Sequence, residues 1–356
     1  MNQSPMRVFV KLLFICTVSL ASCKKEFNMN KWEPDMLVPL IKGTATIKDV
    51  ADLRDKIFVQ NIPAIDIGFD PFVPVNVPEL GISFVGPYPY TLSEYFRFVE
   101  VDSAVFEIEL YNFFPIPISK GTKVIFRSSA DTSTNANIIY SHELSQDIPA
   151  YGSYPKITDT VVNRIVTSEI FLYLENFKTA GATNVVFDTQ PTQLKFEIKF
   201  LSVFRVALNT DKVYGISDTT EMELGEDVAD YDDSTATGKL NVFLTSSMPI
   251  NFNFQMYFYD ASQSVLIDSL YYGEIYAPGC NTNQLGVPVD SVERKFEIPI
   301  TSERVRRLKE AKYMAYRLTG NTYGYPPDVV YAGETCGFKI QITGDIKLKI
   351  AALFTP

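Results

Sequence analysis

Ile250, Phe252, Phe254, Met256 and Phe258 alternate with Asn251, Asn253, Gln255, Tyr257 and Tyr259. Successive side chains of a β-strand point to opposite faces, so this run makes one apolar and one polar face, whereas a helix would mix the two sets. Shorter runs repeat the pattern. Phe106, Ile108 and Leu110 alternate with Glu107, Glu109 and Tyr111, and Ile346, Leu348 and Ile350 with Lys347 and Lys349. The 26 Phe and 20 Tyr supply the side-chain bulk that strands favour, and Pro and Gly punctuate the runs. The pattern predicts a mainly all-β protein of tandem antiparallel β-sandwich-like domains with one or two short helices.

A repeat underlies the pattern. Phe106, Ile108, Leu110, Pro115 and Ile116 recur at a constant offset of 134 positions as Leu240, Val242, Leu244, Pro249 and Ile250, and Val166-Thr167-Ser168-Glu169 recurs as Ile300-Thr301-Ser302-Glu303. Each unit opens with an alternating strand, breaks at a Pro, resumes, and reaches a Thr-Ser-Glu step whose hydroxyl can cap a helix. In the second unit that helix is expected over 303–311, with Val305 and Leu308 inward. Its counterpart in the first unit is more apolar (Ile170, Phe171, Leu172, Leu174) and reads as helix or strand. Each unit closes on a long alternating run, 195–208 and 339–353. The resulting layout is a tether over 23–43, an N-terminal β segment over 44–100, repeat 1 over 101–208, an acidic linker over 209–237 and repeat 2 over 238–356.

Residues 1–22 read as a signal peptide. Arg7 and Lys11 form its positive start and Leu12 to Leu20 its apolar stretch, which is too short for the ~20 apolar residues of a membrane-crossing helix. Leu20-Ala21-Ser22-Cys23 resembles the bacterial lipobox, in which two small residues precede a cysteine that is acylated, with palmitate among its chains, and becomes the new N-terminus. The alternative is an ordinary cleaved signal that happens to end beside a cysteine. Two or more acyl chains hold a protein stably on a membrane, so the resemblance makes Cys23 the lipidation site and the membrane a partner through this N-terminal anchor. Lys24 stands where an aspartate retains enterobacterial lipoproteins in the inner membrane, so the resemblance implies the cell outer membrane. Lys24-Lys25-Glu26 resembles the lysine-plus-acid export tag of Bacteroidetes surface lipoproteins, which leaves the periplasmic and cell-surface leaflets both open.

Trp32-x-Pro34 with Val38, Pro39, Leu40 and Ile41, and the run from Pro249 and Ile250 to Tyr259 and Asp260, resemble a group of uncharacterised Bacteroidetes outer-membrane lipoproteins. That resemblance implies a lineage and an envelope address and brings no catalytic motif. The stretch from Phe106 to Ile118 is similar to the water-stress and LEA-type β-sandwich, where an Asn and a Pro interrupt an alternating strand. Asn112 and Pro115 match it, while Ser246 replaces the Asn in the second unit.

Loss of the leader removes two basic residues and no acid, taking the formal charge from −10 to −12. A chain this acidic, with no basic arm, would be repelled by phosphate backbones, which excludes nucleic acid as a partner. Cys280 and Cys336 are the side-chain thiols left after acylation of Cys23. In an exported protein they read as one disulfide, which would add about 4 kcal/mol on the chain-entropy model; the alternative is two separate buried thiols. Asp218, Glu221, Glu223, Glu226, Asp227, Asp230, Asp232 and Asp233 crowd the linker. Their carboxylates could hold calcium, but the spacing is not that of an EF-hand loop, so the segment reads as a solvated linker with a short strand near Glu221. No metal or cofactor site is assigned.

His142 is the only histidine, so any Ser-His-Asp or Cys-His arrangement must run through it, and its alternating setting reads as a strand surface. No nucleophile elbow, Walker loop or HExxH sequence occurs, and no catalytic residue is assigned. Two aromatic clusters stand out: Tyr88, Tyr90, Tyr95 and Phe96 around Pro87 and Pro89, and Tyr313, Tyr316, Tyr323 and Tyr325 around Gly320 and Gly324. Such tyrosines either stack on ligands or cover the ends of sheets. The first expectation for function is a non-enzymatic envelope assembly or interaction subunit with a protein partner. A surface glycan- or ligand-binding lipoprotein is the alternative, and a carboxylate-dependent hydrolase the third. The candidate binding face is Asn251, Asn253, Gln255, Tyr257 and Tyr259, which mixes amides with aromatic surface and carries no charge. It also reads as an ordinary solvent-facing side of a sheet.

Overall fold

Eighteen strands form among residues 35–222, 237–270, 276–325 and 330–347, the parts of the chain described by this computed structural model. In chain order they are β1 (Asp35–Thr46), β2 (Lys56–Ile62), β3 (Pro74–Thr91), β4 (Phe96–Tyr111), β5 (Lys123–Arg127), β6 (Ile138–Glu143), β7 (Ile157–Thr167), β8 (Glu169–Val186) and β9 (Thr192–Leu208). They continue with β10 (Tyr214–Glu221), β11 (Thr237–Ser246), β12 (Asn251–Tyr259), β13 (Leu266–Leu270), β14 (Tyr276–Ala277), β15 (Val292–Ile300), β16 (Tyr313–Asn321), β17 (Val330–Gly333) and β18 (Gly337–Lys347).

Every pairing between these strands is antiparallel, and the strands make two sandwiches. In the first, a sheet of order β17-β9-β4-β7, with β2 also on β9, faces a sheet of order β3-β8-β5-β6. Phe106 on β4 lies 5.4 Å from Phe126 on β5 and 4.8 Å from Tyr140 on β6, which closes the apolar layer between the sheets. In the second sandwich, β1-β18-β11-β15 faces β10-β16-β12-β13, with β14 on β12. There Phe252 meets Phe338 across the core at 5.2 Å. The mainly β expectation is thus what the chain adopts.

The two sandwiches share one strand plan. Strands β4 and β11, aligned by the 134-residue offset, sit between β9 and β7 and between β18 and β15 respectively. The turn after each repeats as well: the Phe114 N–H donates to Asn112 Oδ1 and the Met248 N–H to Ser246 Oγ, at the same offset. Asn112 does more than its serine counterpart, because its Nδ2 also donates to the carbonyls of Ile116 and Pro149. The helix Ser302–Glu310 begins where expected, with Thr301 accepting from the Arg304 N–H and with Val305 and Leu308 buried. In the first unit the corresponding residues open β8, so the apolar Ile170–Leu174 stretch is strand.

One departure from the expected layout is topological. Residues 35–43, expected as tether, belong to β1, which pairs along β18 from Asp35↔Lys347 to Thr46↔Gly337. The first sandwich, β2 to β9, is therefore inserted between the first strand of the second sandwich and its remainder. A second link runs the other way, since β17 leaves the second sandwich to pair with the end of β9. Tyr331 on β17 packs on Phe98 and lies 4.6 Å beneath the Arg205 guanidinium, and Glu334 just beyond binds Lys48 at 2.7 Å. Of the acidic linker, β10 covers its start, while 223–236 lie outside the described residues. So do Cys23 and the leader. No helix among the described residues is long and apolar enough to cross a membrane.

Candidate functional site

The alternation in β12 places Phe252, Phe254, Met256 and Phe258 in the core, all essentially without solvent exposure. It leaves Asn253 exposed and Asn251, Gln255, Tyr257 and Tyr259 half-buried on the outer face of the β10-β16-β12-β13 sheet. Because β12 is an interior strand, its neighbours extend this face. Asn253 stands opposite Thr319, Gln255 opposite Arg317, Tyr257 opposite Ala315 and Tyr259 opposite Tyr313. On β10, Ser217 continues the row of Arg317, and on β13 Ser269 stands beside Tyr257. The five expected residues are therefore brought together on a strip about 30 Å long. Within it Tyr257 donates to Gln255 Oε1 at 2.7 Å, and the rings of Tyr257 and Tyr259 lie 6.5 Å apart.

Arg317 was not foreseen. It is exposed near the middle of the strip and has no hydrogen-bond or ion-pair partner among the described residues. Nothing in its local sequence marks it; only the register of β16 on β12 places it beside Gln255. Several charges on the other broad outer faces are paired. On β4, β7 and β9, Glu107 is held below the usual carboxylate range by Lys156 and Lys199, and Lys195 pairs with Glu109 and Arg205 with Glu100. On β11 and β15, Glu297 is lowered in the same way by Lys295 and Lys239. The β4-β7-β9 face turns apolar toward the far end, where Ile165 and Phe204 flank a depression of about 420 Å³ that also touches Glu100, Asp102 and Arg164.

A second depression, of about 380 Å³, opens at the Asn251 end of the strip. Asn251 builds it: its Oδ1 accepts from the Gly279 N–H at 2.9 Å while its Nδ2 donates to the Tyr323 carbonyl at 2.8 Å, fixing two loops to one strand end. Gly279 is needed there, because a Cβ would run into the Tyr325 hydroxyl and the Ile250 backbone. Tyr325 donates to the Cys280 carbonyl and forms a wall, whereas Tyr323 projects outward and is 73% exposed. Asn281 and Thr282 complete the rim.

The remaining expected residues are structural. Tyr88 and Tyr90 are half-buried in β3, where Tyr88 bonds Asp66 and Tyr90 packs on Phe58 and Phe196. Burial pushes the Tyr90 hydroxyl up to about 12. Phe96 and Tyr316 are buried, and Tyr95 packs on Tyr214. His142, on β6, has its Nδ1 3.2 Å from Asp159 Oδ2, which also accepts from the Tyr140 hydroxyl at 2.6 Å. Its Nε2, where a nucleophile would have to sit, is buried without a partner. A Ser-His-Asp relay is not assembled there.

The expected disulfide is not formed. Cys280 and Cys336 are both buried free thiols. The Cys336 sulfur is turned into its own chain reversal, where it accepts from the Gly333 N–H at 3.3 Å. Burial pushes the Cys280 thiol up to about 12 and raises that of Cys336. Sequence reasoning also missed Arg127, whose buried guanidinium binds Glu175 at 2.6 Å. No group of three or more metal-ligating side chains is gathered among the described residues, most of the acidic cluster lying outside them.

No family model and no curated protein matches this chain. Among solved structures it is similar to a candidate secreted protein from Parabacteroides distasonis, at 14% identity and a TM-score of 0.35, covering 87% of this chain and 99% of that one. It is also similar to the VP2 subviral particle of infectious bursal disease virus, at 9% identity and a TM-score of 0.22, covering 90% and 73%. A third is the N-terminal CBM22-1-CBM22-2 tandem domain of Paenibacillus barcinonensis Xyn10C, at 9% identity and a TM-score of 0.19, covering 90% and 99%.

Proposed function

We propose that this protein is a non-enzymatic, lipid-anchored outer-membrane protein that engages an envelope protein partner through the outer face of the β10-β16-β12-β13 sheet. The observation that carries the reading is the composition of that face. Asn253, Gln255 and Tyr257 lie beside Arg317, which has no ion-pair partner among the described residues, with Tyr259 and Tyr313 further along the strip, while several charges on the other broad faces are paired. Tyr and Arg are the side chains that most often dominate the energetics of protein interfaces, and amides bond a partner's backbone without the desolvation cost of a full charge. The anchor is supported by Leu20-Ala21-Ser22-Cys23, with Cys23 as the acylated residue.

The experiment is purification from native outer membranes. The wild-type chain is expected to bring down a defined partner, and the Asn253→Ala/Tyr257→Ala double variant to fold normally and lose it. Retention of the partner by the folded variant removes this face from consideration. Labelled palmitate should enter the wild-type chain and not Cys23→Ser, and hydrolytic turnover abolished by changing a carboxylate would reject the non-enzymatic reading.

A further inference from the structure

We propose that the depression at the Asn251 end of β12 is a second, independent site that takes a neutral polyhydroxylated ring, a sugar unit of a glycan, stacked on Tyr323. It goes beyond the partner face described above and shares only Asn251 with that strip. Three features point to this chemistry.

Tyr323 is a large aromatic ring presented to solvent from a fixed backbone. Its carbonyl is held by Asn251 Nδ2, its N–H donates to Asn321 Oδ1 at 3.0 Å, and the Tyr325 N–H closes the turn onto the Thr322 carbonyl. Gly324 supplies the left-handed residue, φ +90°, that lets the chain double back between the two tyrosines, and the space above it is open. An aromatic side chain presented to water from a fixed backbone gains nothing from burial in the free protein. The same pre-organisation lowers the entropic cost of stacking on a ligand.

Among the described residues the lining carries no charged side chain, the Asp290 carboxylate that accepts from the Asn281 N–H and Nδ2 not being part of it. It consists of amide, hydroxyl and tyrosine groups with backbone N–H and C=O from the 278–282 loop. An anionic ligand would meet a chain of net charge −10 with no cation among the described lining residues, and a cationic ligand would find no carboxylate among them. A sugar ring matches instead: its C–H face lies on the tyrosine ring while its hydroxyls exchange hydrogen bonds with amide and backbone groups. The volume of about 380 Å³ lies within the range of ligand sites, about 300–1,000 Å³.

The arrangement is also built and not incidental. Asn251 ties both walls to the strand end, and Gly279 is a residue whose lack of a Cβ lets those walls meet.

The test is saturation-transfer NMR and calorimetry on the acyl-free mature chain with maltotetraose, cellotetraose, xylotetraose, mannotetraose and chitotetraose. Polygalacturonate serves as the anionic control. At least one neutral oligosaccharide is expected to bind saturably and more tightly than polygalacturonate. Tyr323→Ala, at an exposed position, should melt like the wild type and weaken that binding at least tenfold. Tyr323→Phe keeps the stacking face and should stay within about threefold. Failure of all five sugars to bind, preference for the polyanion, or binding that survives Tyr323→Ala overturns the proposal. Partner recovery is read on Asn253 and Tyr257 and sugar binding on Tyr323, so either result stands without the other.

Discussion

Glu175→Gln removes one charge from the most enclosed ion pair among the described residues and little else. Arg127 lies on β5 with a side chain 2% exposed, and its Nη2 meets Glu175 Oε1 at 2.6 Å. Its Nη1 reaches the Thr134 carbonyl at 2.8 Å and Asn137 Oδ1 at 2.7 Å, and the guanidinium lies 5.9 Å from the centre of the Tyr173 ring. Breaking a buried pair by removing one partner costs about 3–5 kcal/mol, because the remaining charge stays buried without compensation. Two features place this variant at the low end or just below. Glu175 keeps 19% side-chain exposure, so water reaches part of the site, and a glutamine oxygen still accepts the hydrogen bond. The expected loss is about 2–3 kcal/mol, read from urea unfolding at unchanged m-value. Arg127→Met on the Glu175→Gln background should recover part of it, because the pair is then replaced by uncharged groups of similar size. Arg127→Met should also speed amide exchange across 128–137, the loop that the guanidinium holds. A loss below about 1 kcal/mol for Glu175→Gln, or strict additivity of the two changes, would refute the account.

Two further outcomes follow from burial. Cys280 and Cys336 should resist iodoacetamide at pH 8 in the native protein and both react once it is unfolded without reductant, since buried thiols with raised pKa carry little thiolate; mass spectrometry that finds them joined would overturn the free-thiol assignment. Burial first, and then Asp66 and Asp159, raise the Tyr88 and Tyr140 hydroxyls above the ordinary tyrosine value. A raised folded-state pKa gives stability that is complete below the unfolded value, about 10, and is lost as pH climbs from there toward the folded value. Thermal stability should therefore fall above pH 10, and Tyr140→Phe should flatten that decline.

How much of this was readable beforehand depended on the range of the interaction involved. Period-two alternation is local, so β12 and its two faces followed directly from Ile250 to Tyr259, as did the capped helix after Thr301. The shared strand plan showed through the 134-residue offset because equivalent strands need equivalent inward residues. Pairing partners were not legible. The apolar Val38 to Ile41 stretch gave no sign that it joins β18 at the other end of the chain, since register is set by tertiary contacts. Arg317 stayed hidden for the same reason, its setting being a cross-strand neighbour. The cysteines were misread because two thiols left in an exported chain suggest a bond by count alone, whereas geometry turned the Cys336 sulfur toward Gly333.

The pairing of β1 with β18 also sets an order of assembly. Strands β2 to β9 are contiguous, so the first sandwich can form nearly all of its pairings as soon as residue 208 has been synthesised. Strand β1 emerges earlier than all of them and must wait, because its partner ends at Lys347. During that interval it is an unpaired strand, the kind of edge that invites pairing with other molecules. Completion of the second sandwich is therefore the last event in biogenesis, and a chain truncated before β18 would carry a finished first sandwich beside an open second one.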